Sequence, residues 1–158
     1  MYIKMEYLQK ELGNKITQSH IPNDSHLLSF KLYETTIREF QDNILYLCMA
    51  SDLSDTTRDM IQKQSLNFII FCKEDCDLDY LEHSNYLFLH ADMFDVFAYV
   101  NELGDIFYRY NNWEQKLLSL VTSGGTYQDA IDIGNEMISV PMAMMDVNHQ
   151  PQGHHQRL

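Results

Sequence analysis

The sequence predicts an α/β fold: a small, mostly parallel sheet with packed helices, followed by a long helix and an incomplete helix-strand unit. Three observations predict it. Ile44–Met49 (ILYLCM), Asn67–Cys72 (NFIIFC) and residues 86–90 (YLFLH) are continuous apolar runs of strand length, the pattern of strands buried on both faces. Helical or polar segments separate these runs, which is the strand-crossover-strand order of a parallel sheet. Residues 92–125 contain no proline and place Val96, Tyr99, Leu103, Ile106, Tyr110, Trp113, Leu117 and Leu120 at alternating steps of three and four. That spacing is one helical seam.

Taken in order, Met5–Leu12 (MEYLQKEL) reads as a short helix with Gly13-Asn14 as its stop. Asn23-Asp24-Ser25 marks a turn after Pro22, and residues 27–33 (LLSFKLY) alternate as a strand does. After ILYLCM comes the polar loop 51–55, where Ser54 or Asp55 can cap a helix over 57–64. NFIIFC leads into an acidic loop at 73–79 and a short helix near 80–83. The strand at 86–90 runs straight into the long helix through Ala91-Asp92. At 1.5 Å per residue that helix is about 45 Å long. Ser123-Gly124-Gly125 ends it.

Thr126 and Asp129 then form an approximate capping box for a helix over 127–138. Pro141 stops that helix, 142–145 reads as a strand and 146–149 as a turn. The tail from residue 150 has no apolar pattern and is expected to be disordered. The expected organisation is an α/β domain at 1–91, a connecting helix at 92–125, an incomplete domain opening at 126–150 and a tail at 151–158. One helix and one strand cannot form a core, so the rest of that second domain is expected beyond this chain.

The chain has 158 residues, 45% of them hydrophobic, enough for a real core. The formal net charge of -12 repels nucleic-acid phosphates and anionic membranes. No apolar run approaches about 20 residues, so no membrane span is expected. The N-terminus mixes charged and apolar residues too finely for a signal peptide, which points to the cytoplasm. Three cysteines, Cys48, Cys72 and Cys76, are an odd number and read as reduced thiols.

No nucleophile elbow, Walker loop, dinucleotide fingerprint or metalloprotease helix is present, so neither catalysis nor a cofactor is expected. Cys72 and Cys76 lie near His83 and His90, but zinc sites use tighter paired spacings, and no metal is assigned. Gly124-Gly125 precedes a helix without the rest of a phosphate loop and reads as a break between helices. Parallel sheets bind ligands beyond the C-terminal ends of their strands. Here those ends bring Ser51, Asp52, Lys73 and Asp92 forward as candidate ligand-binding residues. Turns and helix caps need the same residue types, so each also has a purely structural reading. The first half of the long helix has a sheet to cover. The second half leaves Tyr110, Trp113, Leu117, Leu120 and Val121 for another partner, the expected interface of a homodimer.

Residues 105–150 carry Phe107, Tyr110, Trp113, Leu117-Leu118, Gly124-Gly125, Ile131-Asp132-Ile133, Pro141 and Asp146. In this order they resemble the junction region of PucR-like bacterial transcriptional regulators, in which a helix of the F-x-x-Y-x-x-W type leads through glycine into a second helix and a strand. Val140 departs from the asparagine that the family commonly has before this proline. Upstream, ILYLCMASDLSD at 44–55 is similar to the strand and loop of that family's N-terminal sensor region. The resemblance implies a small-metabolite sensor and dimerisation region, ending where a PAS- or GAF-like middle domain starts. DNA would be bound only through a helix-turn-helix domain absent from this chain. The alternative is a stand-alone protein-interaction scaffold without a ligand.

Overall fold

The computed structural model describes residues 2–137, 144–145 and 151–152. Three strands carry the fold: β3 (Ile44–Met49), β4 (Asn67–Cys72) and β5 (Asn85–His90). Successive residues of a strand face opposite ways, so an all-apolar run needs cover on both sides. On one face Tyr46, Cys48, Phe68, Ile70, Tyr86 and Phe88 form a single core with Leu53, Ile61, Leu78 and Leu81 from the crossovers. On the other face Leu45, Leu47, Ile69, Phe71, Leu87 and Leu89 are equally buried. The sequence expected these three strands, and the structure has them within one residue at each end.

The sheet has five strands in the order β1-β5-β4-β3-β2, with β1 at Gln18–His20 and β2 at Ser29–Leu32. β2, β3, β4 and β5 run parallel, and β1 closes the β5 edge antiparallel. The strand expected at 27–33 is β2 alone, with Leu27 making an isolated bridge to Ile3. β1 was not expected, because Gln18-Ser19-His20 has no apolar residue to signal it.

The helices cap as their sequences dictate. α1 (Met5–Leu12) has no side-chain cap of its own. Instead the buried hydroxyl of Ser25, far along the chain, accepts from the Met5 amide at 2.8 Å. Gly13, at φ 55°, stops this helix in a backbone conformation that favours glycine. α2 (Asp55–Gln62) begins two residues before the sequence places it, and Ser54, not Asp55, is the cap, accepting from the Thr57 amide at 3.2 Å. The short helix expected at 80–83 is a 3-10 turn at Asp79–Leu81. α2 packs on that turn over the first core face. α3 (Met93–Ser123) starts on the other face, where the Tyr99 ring meets Phe71 at 5.3 Å and Val96 is buried. Lys15 ties this part of α3 to the N-terminal region through Glu102 at 2.9 Å. No helix among the described residues is long and apolar enough to cross a membrane.

The chain divides into two compact units, 1–104 and 105–158. The boundary falls inside α3, so the first unit keeps the helix's opening turns. In the second unit Ile106, Phe107 and Ile131 are buried. α4 (Tyr127–Met137) opens on the expected capping box: Thr126 Oγ1 accepts from the Asp129 amide at 3.1 Å, and Asp129 Oδ2 accepts from the Thr126 amide at 2.9 Å. Gly124 takes φ 74° before it, and a side chain on Gly125 would collide with Leu120.

β6 (Met144–Met145) pairs antiparallel with β7 (Pro151–Gln152). Two residues expected in a disordered tail are thus a strand, because backbone pairing needs no apolar pattern. The expectations at Ile138, Pro141, Met142, residues 146–149 and residues 153–158 lie outside the described residues.

Candidate functional site

The C-terminal ends of β3, β4 and β5 meet at a cavity of about 380 Å³ lined by Met49, Ser51, Cys72, Lys73, Asp92, Met93 and Phe94. The topology explains its position. After β3 and β4 the chain leaves toward the α2 face, whereas after β5 it leaves toward the α3 face. Connections that diverge over neighbouring strand ends leave a crevice between them, the usual ligand position in open α/β sheets.

Three of the four candidate ligand residues line this one cavity: Ser51, Lys73 and Asp92. Asp52 does not. Ser51 and Asp52 are consecutive in a 3-10 turn, Ala50–Asp52, where neighbouring side chains point about 120° apart. Asp52 is exposed to solvent, and its charge helps burial push the Cys48 thiol up. Arg58 holds this turn in place. Its Nε donates to the Leu53 carbonyl at 3.1 Å and its Nη2 to the Ala50 carbonyl at 2.8 Å, while the guanidinium lies 4.8 Å from the Tyr80 ring centre.

Asp92 serves as the cap of α3. Its Oδ1 accepts from the Asp95 amide at 3.0 Å, and Asp95 Oδ2 accepts from the Asp92 amide at 3.2 Å. The Asp95 amide, opposed by partial desolvation and aided by the Phe94 amide and the Lys73 ammonium, holds the Asp92 carboxyl below the usual aspartate range. Asp92 therefore offers a fixed carboxylate at neutral pH, and Lys73, at the end of β4, lines the same cavity.

The apolar wall was missed by sequence reasoning. Met93 and Phe94 are 61% and 84% exposed, an unusual position for large apolar side chains. A signal was available: both follow Asp92 directly, and their apolar side chains lie off the helical seam. Cys72 and Cys76 are half-buried free thiols that pack against the first core face. Burial, with the Cys72 thiol close by, pushes Cys76 up to about 11. His90 contacts the carboxylate of Asp75 at 2.8 Å. No group of three His, Cys, Asp or Glu side chains able to hold a metal occurs among the described residues.

A larger cleft of about 640 Å³ lies along Gln18, His20, Asp77, Asp79, Glu82 and Tyr86. Several of its polar groups already satisfy one another. Gln18 Nε2 donates to the Tyr86 hydroxyl at 2.8 Å, His20 Nε2 lies 2.9 Å from the Glu82 carbonyl, and Asp77 Oδ1 accepts from the Asp79 amide at 2.9 Å. The smaller cavity, lined by residues of unlike charge and by an uncovered apolar wall, is the stronger candidate for a ligand site.

The five expected interface residues lie on the second unit's part of α3. Tyr110, Trp113, Leu117 and Leu120 are half-buried, and the Trp113 and Tyr110 rings sit 5.7 Å apart. Leu120 covers Gly125 at the turn into α4. Val121 is 62% exposed and Leu118 is 56% exposed. The uncovered apolar surface is thus narrower than the seam implied, because the turn at Gly124-Gly125 folds the chain back over Leu120.

Comparison with known protein families, curated proteins and solved structures finds no match.

Proposed function

We propose that this chain is a non-enzymatic small-molecule sensing and dimerisation module, of the kind found in PucR-like transcriptional regulators. The observation that carries the reading is the cavity over β3, β4 and β5, where Ser51, Lys73 and Asp92 gather beside exposed Met93 and Phe94. Asp92, Met93 and Phe94 are the head of α3, so a ligand seated there contacts the element that runs on through residue 123. A ligand biases such an element only through different contact energies with its alternative arrangements. DNA binding would belong to a domain outside this chain.

The test is a thermal-shift panel of purines, ureides and amino acids. A ligand of this cavity at 100 times its Kd stabilises the protein by about 2.7 kcal/mol. The shift should vanish in Ser51→Phe, which fills the cavity from an exposed position. A flat panel would favour the scaffold reading.

Dimerisation rests on Leu118 and Val121, exposed one turn apart on α3 beside the half-buried Leu117 and Leu120. Sedimentation should give a dimer mass that Val121→Asp returns to monomer. A monomer mass for the parent protein at high concentration would sink this part of the proposal.

A further inference from the structure

We infer that the cavity over β3, β4 and β5 takes a free α-amino acid with an apolar side chain. This inference rests on the reading of that cavity as a ligand site and names the chemistry of its ligand.

The charges argue first. Lys73 and Asp92 come from different elements, the end of β4 and the head of α3, and both line the cavity. No ion pair joins them among the described residues, and Lys73 donates no hydrogen bond there. Asp92 has Oδ1 on the Asp95 amide. A carboxylate offers about four acceptor positions, so Asp92 retains capacity for a further donor. A ligand that enters meets one cation and one anion together. A dicarboxylate would be met by Asp92, and a polyamine by Lys73, in each case with like charge. A neutral base would leave both charges without a partner of opposite sign. A zwitterion satisfies both: its carboxylate accepts from the Lys73 ammonium while its ammonium donates to Asp92. Both are charge-assisted hydrogen bonds, the strong kind.

The wall argues second. Met49, Met93 and Phe94 supply two thioethers and a ring, and Phe94 is the most exposed large apolar side chain in the described chain. Thioether and aromatic surfaces adapt to differently shaped apolar groups. Covering Phe94 and Met93 with an apolar ligand side chain gives back the hydrophobic free energy their exposure forgoes. A cavity of about 380 Å³ also has the size for a small ligand of this kind.

The experiment is calorimetric titration of the full chain with L-phenylalanine, L-leucine and L-methionine. Controls are N-acetyl-L-phenylalanine, which lacks the ammonium, and L-phenylalaninamide, which lacks the carboxylate. At least one free amino acid should bind, and each derivative of phenylalanine should bind about tenfold or more weaker than its parent. Lys73→Gln and Asp92→Asn should each cost the free amino acid a similar factor. Asparagine caps a helix about as well as aspartate, so the second variant keeps the head of α3 intact. Equal binding of the derivatives, or indifference to both variants, would overturn the inference. Binding of a purine or ureide that Ser51→Phe abolishes, with no binding of amino acids, would overturn it while leaving the sensing role standing. No binding by any of these compounds would overturn both.

Discussion

Replacing Phe68 by alanine should cost about 3–5 kcal/mol of unfolding free energy, read as a lower midpoint in urea denaturation. Phe68 is fully buried in β4, the central strand, with β3 and β5 on either side. Its ring meets Phe40 at 6.1 Å and Tyr46 at 6.0 Å, and the same core takes in Ile61 of α2 and Leu81 of the following crossover. Truncation removes the transfer free energy of the ring and leaves a cavity that surrounding strands cannot close, because their backbones are fixed by ladder hydrogen bonds. A domain of this size has about 5–15 kcal/mol in total, so this one change removes a large share of it. Phe68→Leu keeps most of the volume and should cost clearly less. A loss below about 1 kcal/mol for the alanine variant would contradict this packing of the sheet.

Asn85→Ala should cost about 2–4 kcal/mol, although it removes only one short side chain. Asn67 and Asn85 face each other at the first rungs of β4 and β5, and both are buried. Asn85 Nδ2 donates to Asn67 Oδ1 at 2.9 Å and to the Asn23 carbonyl at 3.1 Å, and its Oδ1 accepts from the Asn23 amide at 2.9 Å. Asn67 Nδ2 in turn donates to the Asp42 carbonyl at 2.7 Å. Each partner left unsatisfied and buried costs its desolvation, so the loss exceeds that of one ordinary hydrogen bond. The asparagines also fasten the loop after β1, through Asn23, and the loop before β3, through Asp42, to the start of the sheet, opposite the candidate site. Chemical denaturation of Asn67→Ala, Asn85→Ala and the double variant checks this: the two losses should be markedly less than additive. Additive losses would mean that the pair does not act as a unit.

The strands that frame the site were legible because both their faces are buried, which leaves an unbroken apolar run in the sequence. β1 was illegible for the opposite reason. It is an edge strand of three polar residues, and what makes it a strand is the free edge of β5. Three candidate residues of the cavity followed from one rule of parallel sheets, since Ser51, Lys73 and Asp92 all stand just past strand ends. The rule gives the end of a strand and not the direction of a side chain. It therefore included Asp52, which the 3-10 turn aims elsewhere, and passed over Met49, Cys72, Met93 and Phe94.

Sequence alone determined the three central strands, the capping box of Thr126 and Asp129, and one helix from the end of the sheet to Gly124. Each is a local matter of periodicity, short-range hydrogen bonding or backbone freedom. Only the tertiary structure decided that Ser25 caps α1, that Arg58 braces the turn after β3, and that Lys73 and Asp92 face one cavity without touching. These partners are distant in sequence or lie on opposite sides of a loop. Their meeting depends on which face each crossover takes, and a one-dimensional pattern does not encode that choice locally.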